Sequence, residues 1–235
     1  MNMKKLFLLG TLAMFCMTGS AQENNKSNDS FRVEETLPEI SAKSILQFWP
    51  TCTVEEIEKF VFPELYEIVM NETGYEELAK CFTPHNNGIV AVIKREDRST
   101  LNSVVAKANG FLPENVILFW GARPEENDVF MLYAIKDDDS DGIAPLQGDI
   151  IEKVEAGFSA YSNAPIINIK MNSEAAARWG DLTEVCAKER RPIAIVVDGL
   201  VYSAPMPAER INSANSEISG NFTIEDVQEL VEKLK

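Results

Sequence analysis

The stretch Ile193-Ala194-Ile195-Val196-Val197-Asp198-Gly199-Leu200-Val201-Tyr202-Ser203 decides the fold. Two apolar runs flank an Asp-Gly pair, the dipeptide that supplies the positive φ angles of a tight hairpin turn. The pattern predicts antiparallel strands over 193–197 and 200–202. Immediately upstream, 166–171 is a strand candidate. Asn172 or Ser173 then caps a helix through Trp179, Leu182 and Val185. Downstream, Thr223 caps a last helix with Ile224, Val227, Val231 and Leu234 on one side, and Phe222 can pack on Val227 as a hydrophobic staple.

Further out, apolar β-rich runs predict strands over 88–93, 116–120, 129–135 and 150–158. Asp97 can cap a helix through Leu101, Val104, Val105 and Ala108 that Gly110 closes. Residues 41–82 read as helical. Thr53 and Glu56 have capping-box spacing, Ile57, Phe60, Val61, Leu65, Ile68 and Val69 recur at helical spacing, Pro63 starts or interrupts a helix, and 75–82 looks like a short third one. Strands and helices mix without βαβ repetition. The expected class is α+β, a mixed or antiparallel sheet with packed helices over 85–235, preceded by a small helical region at 41–84.

The 235-residue chain carries 22 Lys and Arg against 37 Asp and Glu, a net charge of -15, with 45% hydrophobic residues. That is a globular composition. The acidity argues against nucleic acid as a partner, because phosphate binding needs clustered Lys and Arg. A lone histidine, His85, excludes any metal site or relay that needs two.

Lys4 and Lys5 precede an uncharged apolar run over 6–17, and Gly19, Ser20 and Ala21 follow. This is the layout of a secretory signal peptide cleaved near Ala21, which places the remainder in the periplasm or outside the cell. The run is too short to span a bilayer as a helix, and no other stretch is apolar enough. Residues 22–40 are polar and read as a flexible tether. In an oxidising compartment Cys52 and Cys81 are the favoured disulfide partners, although sequence alone does not fix the pairing. Cys186 falls on the helical face of Ala175 and Trp179, as a buried apolar residue would.

Four segments resemble the first periplasmic, or head, domain of SecD, the membrane-embedded accessory subunit of the Sec translocon. Ala144-Pro145-Leu146-Gln147-Gly148-Asp149 is similar to the family's Leu-Thr-Gly-Asp entry to the head. Met171-Asn172-Ser173-Glu174-Ala175-Ala176 is similar to its Leu-Asn-Ser-Glu-Gly-Ala helix start. The Asp198-Gly199 hairpin with Ser203-Ala204-Pro205 resembles its Asp-Gly hairpin and Ser-Ala-Pro exit, and Ile218-Ser219-Gly220-Asn221-Phe222-Thr223 its Ile-Ser-Gly-Xaa-Phe-Thr segment. The blocks occur in family order and cover 146–235. A weaker likeness, to the Bacteroidetes branch, reaches back toward Ile89 through Leu118-Phe119-Trp120-Gly121 and Tyr133-Ala134-Ile135-Lys136.

The resemblance implies the head fold and a polypeptide-handling surface. It does not extend to the family's transmembrane helices, whose acidic residues couple to the proton gradient. The expected function is therefore a non-enzymatic, extracytoplasmic polypeptide-binding or Sec-associated module. Its expected partners are unfolded exported polypeptides or Sec translocon components. The alternative is a secreted envelope or host-facing interaction protein on the same fold.

No cofactor and no catalytic residue is expected, since no Ser lies in a G-x-S-x-G elbow and no Gly-rich phosphate loop appears. Asp137, Asp139, Asp141 and Gly142 spell the opening of a calcium loop, but Gly148 stands where the closing bidentate Glu belongs. No metal site is assigned there. Candidate peptide-binding residues are Tyr161, Tyr202, Pro205 and Met206, apolar or amphipathic side chains near strand ends, and core packing is the competing role for each.

Overall fold

A computed structural model describes residues 44–235. The signal-peptide and tether readings lie outside the described residues. In chain order the elements are β1 (Leu46–Pro50), α1 (Val54–Glu56), α2 (Phe62–Thr73), α3 (Glu76–Ala79), β2 (Ile89–Lys94), α4 (Arg95–Ala108), β3 (Val116–Gly121) and β4 (Val129–Lys136). Then follow β5 (Leu146–Gln147), β6 (Ile151–Phe158), β7 (Pro165–Met171), α5 (Ser173–Glu189), β8 (Ile193–Val197), β9 (Leu200–Ser203), β10 (Asn215–Ile218) and α6 (Ile224–Leu234). A π-helical turn over Ile57–Val61 joins α1 to α2. The expected α+β class holds.

Among the described residues the strands form two sheets, a seven-stranded one in the order β2-β4-β3-β9-β8-β1-β5 and a three-stranded one in the order β10-β7-β6. Every strand pair is antiparallel except β3 with β9, which meet in parallel through Trp120↔Leu200 and Gly121↔Val201. The Asp198-Gly199 hairpin forms as the dipeptide requires, with φ of 52° and 74°.

Cross-strand register fixes which faces are shared. Val196 pairs with Val201, and Val201 with Gly121, so these residues lie on one face. Ile193, Ile195 and Val197 of β8 and Leu118 of β3 therefore share the other face, by the period-2 alternation of strands. That face carries all the helices. At one end, α1 to α4 bury Ile57, Val61, Leu65, Val69, Leu101 and Val105 against Ile93, Leu118 and Leu132. At the other, α5, α6 and the small sheet bury Trp179, Val227, Leu230, Ile167 and Ile169 against Phe48, Ile193, Ile195 and Leu146. The opposite face carries Trp49, Tyr133, Ile135, Ala194, Val196 and Val201.

The expected helix over 41–82 is corrected at its start. Leu46–Pro50 is a strand, held between β8 and β5 through Phe48↔Ile195 and Phe48↔Leu146. Leu46 and Phe48 face one core while Trp49 enters the other. Pro50 disfavours helix at the residue before it, so the helix waits for Thr53. There the capping box forms: Thr53 Oγ1 accepts from Glu56 N–H at 3.3 Å, and Glu56 Oε2 accepts from Thr53 N–H at 2.8 Å. The helices of 54–79 do not stand apart, because Ser41–Lys235 is one compact unit.

The short strands β5 and β10 were also not apparent from sequence. Asn215-Ser216-Glu217 has little strand propensity and is a strand because it pairs with β7. Arg95 rather than Asp97 begins α4, with Lys94 at the cap position.

The favoured Cys52–Cys81 link is absent: Cys52, Cys81 and Cys186 are free thiols. Burial pushes the Cys52 and Cys186 thiols up to about 12, so both sit as neutral apolar groups. Cys186 occupies the helical face expected for it.

A charge cluster around the buried Arg191 clamps the end of β1. Arg191 donates to Thr51 O at 2.7 Å and to Glu56 Oε2 at 2.6 Å, and Lys136 Nζ lies 3.2 Å from Glu56 Oε1. Burial alone would raise the Glu56 pKa. Hydrogen bonds from Arg191, the Thr53 N–H and Lys136 overcome it and hold the carboxyl at about 2. A carboxyl depressed in the folded state stabilises it above the ordinary value, and that stability disappears as pH falls from about 4.5 to about 2. Glu56→Gln is expected to cost about 2 kcal/mol at neutral pH. It should also flatten the loss of urea-unfolding free energy across that acid range.

Gly88, at φ 75°, lies so close to Thr51 that an added Cβ would clash with the Thr51 Cβ. Gly88→Ala therefore combines a left-handed backbone with a backbone-to-core clash. A loss of about 2–4 kcal/mol is expected in chemical denaturation.

Candidate functional site

A mainly apolar cleft opens between the two sheets. Its floor is Trp179 of α5 with Ile193 and Ile195 of β8, and Ser216 and Glu217 of β10 form one wall. Pro205, Met206, Pro207, Ala208 and Ile211 form the lip. The volume is about 250 Å³.

Local sequence explains each part. Asn172 caps α5, its Oδ1 accepting from Ala175 N–H at 2.8 Å, which sets the helix phase. Trp179 then faces inward, its ring centroid 5.0 Å from that of Phe48. The lip leaves β9 at Ser203, and prolines at 205 and 207 keep it out of any sheet or helix.

The lip is tied down at both ends. Ile193 N–H donates to Pro205 O at 2.9 Å. Ile211 N–H donates to Thr183 Oγ1 at 2.9 Å, and that hydroxyl donates back to Trp179 O at 2.9 Å. Arg210 reaches over α5 to Asp181 at 2.7 Å and Glu184 at 2.9 Å, and its own Nε donates to Asn212 at 2.7 Å. Gly180 admits this crossing, since a Cβ there would meet Arg210 Nη2 at 2.8 Å.

Of the four residues named from sequence, the structure brings two together. Pro205 and Met206 line the cleft, and Met206 is 50% exposed. Tyr202 packs against the core beside α6, with the Arg123 guanidinium 5.8 Å from its ring. Tyr161 stands fully exposed on the loop between β6 and β7, outside the cleft. Trp179, Ile193, Ile195 and Ile211 were missed as cleft residues, because a periodic apolar position reads as core whether or not a cleft opens beside it.

The Asp137 loop is organised by its own backbone. Asp137 is buried, and its Oδ2 accepts from Gly142 N–H at 2.8 Å, while Asp141 Oδ1 accepts from Ile143 N–H at 2.8 Å. Among the described residues no three acidic, His or Cys side chains converge as a metal site. His85 shares a 2.8 Å hydrogen bond with the Thr83 hydroxyl at the surface.

Thr183→Val removes the hydroxyl that both anchors the lip and returns to α5. Amide exchange at Ile211 is expected to accelerate at least ~10-fold, with a stability loss of about 1–2 kcal/mol. An unchanged Ile211 exchange rate by NMR would show the lip is held elsewhere.

Residues 140–235 match the family model "SecDF, P1 head subdomain". Protein translocase subunit SecD of Rhodothermus marinus is 30% identical over 160 residues, covering 65% of this chain and 24% of its own length. The SecD of Calditerrivibrio nitroreducens is 29% identical over 137 residues, 57% of this chain and 25% of the relative. The SecD of Desulfurispirillum indicum is 34% identical over 129 residues, 52% of this chain and 23% of the relative. The chain thus spans about a quarter of the length of the curated relatives it matches. A crystal structure of SecDF from Thermus, described as a translocon-associated membrane protein, overlaps 83% of this chain and 19% of its own, at TM-score 0.37 and 17% identity. The similarity to the SecDF P1 head subdomain thus runs from the approach to β5 through α6.

Proposed function

We propose that this chain is a non-enzymatic, extracytoplasmic module that handles unfolded polypeptide in association with the Sec translocon. The match of 140–235 to the SecDF P1 head subdomain carries the reading. The relatives are named protein translocase subunits. An apolar cleft with a Met-bearing, proline-rich lip suits varied polypeptide better than one fixed ligand. No helix among the described residues is long and apolar enough to cross a membrane.

The test is photo-crosslinking in the native host, with p-benzoylphenylalanine placed at exposed Tyr161 and Met206. Adducts with exported polypeptides or Sec subunits are expected. Adducts confined to other envelope proteins would instead favour an interaction protein that reuses the fold. Absence of adducts from both positions would sink the Sec reading.

A further inference from the structure

Among the described residues β6 is the longest bare sheet edge. β5 spans two residues and β10 four. β2 is partly covered by the Phe82↔Ala91 bridge and by Thr83 N–H, which donates to Val90 O at 2.9 Å. β6 runs for eight residues and pairs on one side only, with β7.

The ladder to β7 shows which backbone groups of β6 are free. Ser159 N–H donates to Ala164 O at 2.9 Å, and Phe158 stands opposite Pro165, which has no N–H to give. Facing residues in an antiparallel pair alternate between hydrogen-bonded and non-hydrogen-bonded. Gly157, Glu155 and Lys153 are therefore bonded to β7, while Phe158, Ala156 and Val154 turn their N–H and C=O groups to the open edge.

Charged side chains on such an edge normally repel a stray strand. Those of β6 have a different relation to a second copy of the same edge. On the outer face of the small sheet, register sets Lys153, Lys170 and Asn215 in one row and Glu155, Asn168 and Glu217 in the next. At the open edge the basic row ends in Lys153 and the acidic row in Glu155, both exposed and 2.8 Å apart. A two-fold axis at Val154 sets Val154 against Val154 of a second copy, so that their free N–H and C=O groups satisfy each other. The same axis sets Lys153 opposite Glu155 of the second copy, and Glu155 opposite its Lys153. These are non-hydrogen-bonded positions, where facing side chains come closest. Each basic row then runs on into the acidic row of the other copy, and four charges alternate in sign around the axis.

We infer that this chain associates with a second copy edge to edge through β6, on a two-fold axis at Val154. The two small sheets become one of six strands. The bulge between Ile151 and Lys153 ends the regular ladder close to the axis, so the interface is small. The opposite edge, β10, and the cleft beside it stay open in the pair.

Sedimentation equilibrium of the chain purified from its native host tests this, at about 0.15 M salt, where repulsion between two acidic molecules is screened. A dimer with Kd on the order of 10–100 μM is expected, as for a small transient interface. Lys153→Glu and Glu155→Lys should each raise Kd at least ~10-fold, because each sets like charges opposite one another twice. Both positions are exposed, so the fold is retained. The double swap K153E/E155K restores opposite signs across the axis and should return Kd to within ~3-fold of the starting value. An equimolar mixture of the two single variants should form a mixed dimer more tightly than either variant pairs with itself. A chain that stays monomeric at about 1 mM overturns the assignment. So does a dimer that is indifferent to the single swaps, or one that the double swap fails to restore.

Discussion

Strand β1 is the member on which the large sheet depends. It fills the gap between β8 and β5, and without it the hairpin of β8 and β9 would have a bare edge buried against α5. Its alternation is suited to the place, since Leu46 and Phe48 enter one core and Trp49 the other. The Arg191 clamp then fixes its far end, binding the β1 backbone at Thr51 and the first helical turn at Glu56 with one guanidinium. Arginine suits this task because its planar fork donates in two directions at once and stays charged when buried. The same group is where α5 turns into β8, so the clamp joins the two halves of the helix-covered face.

The cleft follows from this arrangement. With β8 held beside β1, its Ile193 and Ile195 face α5, and Trp179 is driven against Phe48. The small sheet approaches from the other side but does not close on β8, because Pro205 and Pro207 prevent the intervening chain from becoming a strand. What remains is a slot bounded by rigid elements on three sides and by an anchored loop on the fourth. A site with that construction holds its shape before any guest arrives, which lowers the ordering cost of binding.

Much of the architecture was legible in the sequence because local signals and tertiary demands agreed. The Asp198-Gly199 turn, the Thr53, Asn172 and Thr223 caps and the apolar runs of β2, β3, β4, β6, β7 and β8 all formed where the pattern put them. The failures share a cause. Leu46–Pro50 lies next to a strong helical pattern, and its strand state is imposed by partners far away in sequence. Asn215-Ser216-Glu217 carries no intrinsic strand signal at all. The candidate site was half legible for a related reason. Pro205 and Met206 advertise an irregular, adaptable lip, whereas a floor residue such as Trp179 has the periodicity of any core position.

The pairing of β1 with β8 also has a temporal side. Phe48 and Ile195 meet across most of the described chain. Closing so long a loop costs entropy before any contact rewards it, and topologies rich in such pairings fold slowly. A chain that emerges from its N-terminus first carries Leu46, Phe48 and Trp49 unburied until β8 has also emerged. During that interval its first strand is itself an extended apolar segment in search of an edge.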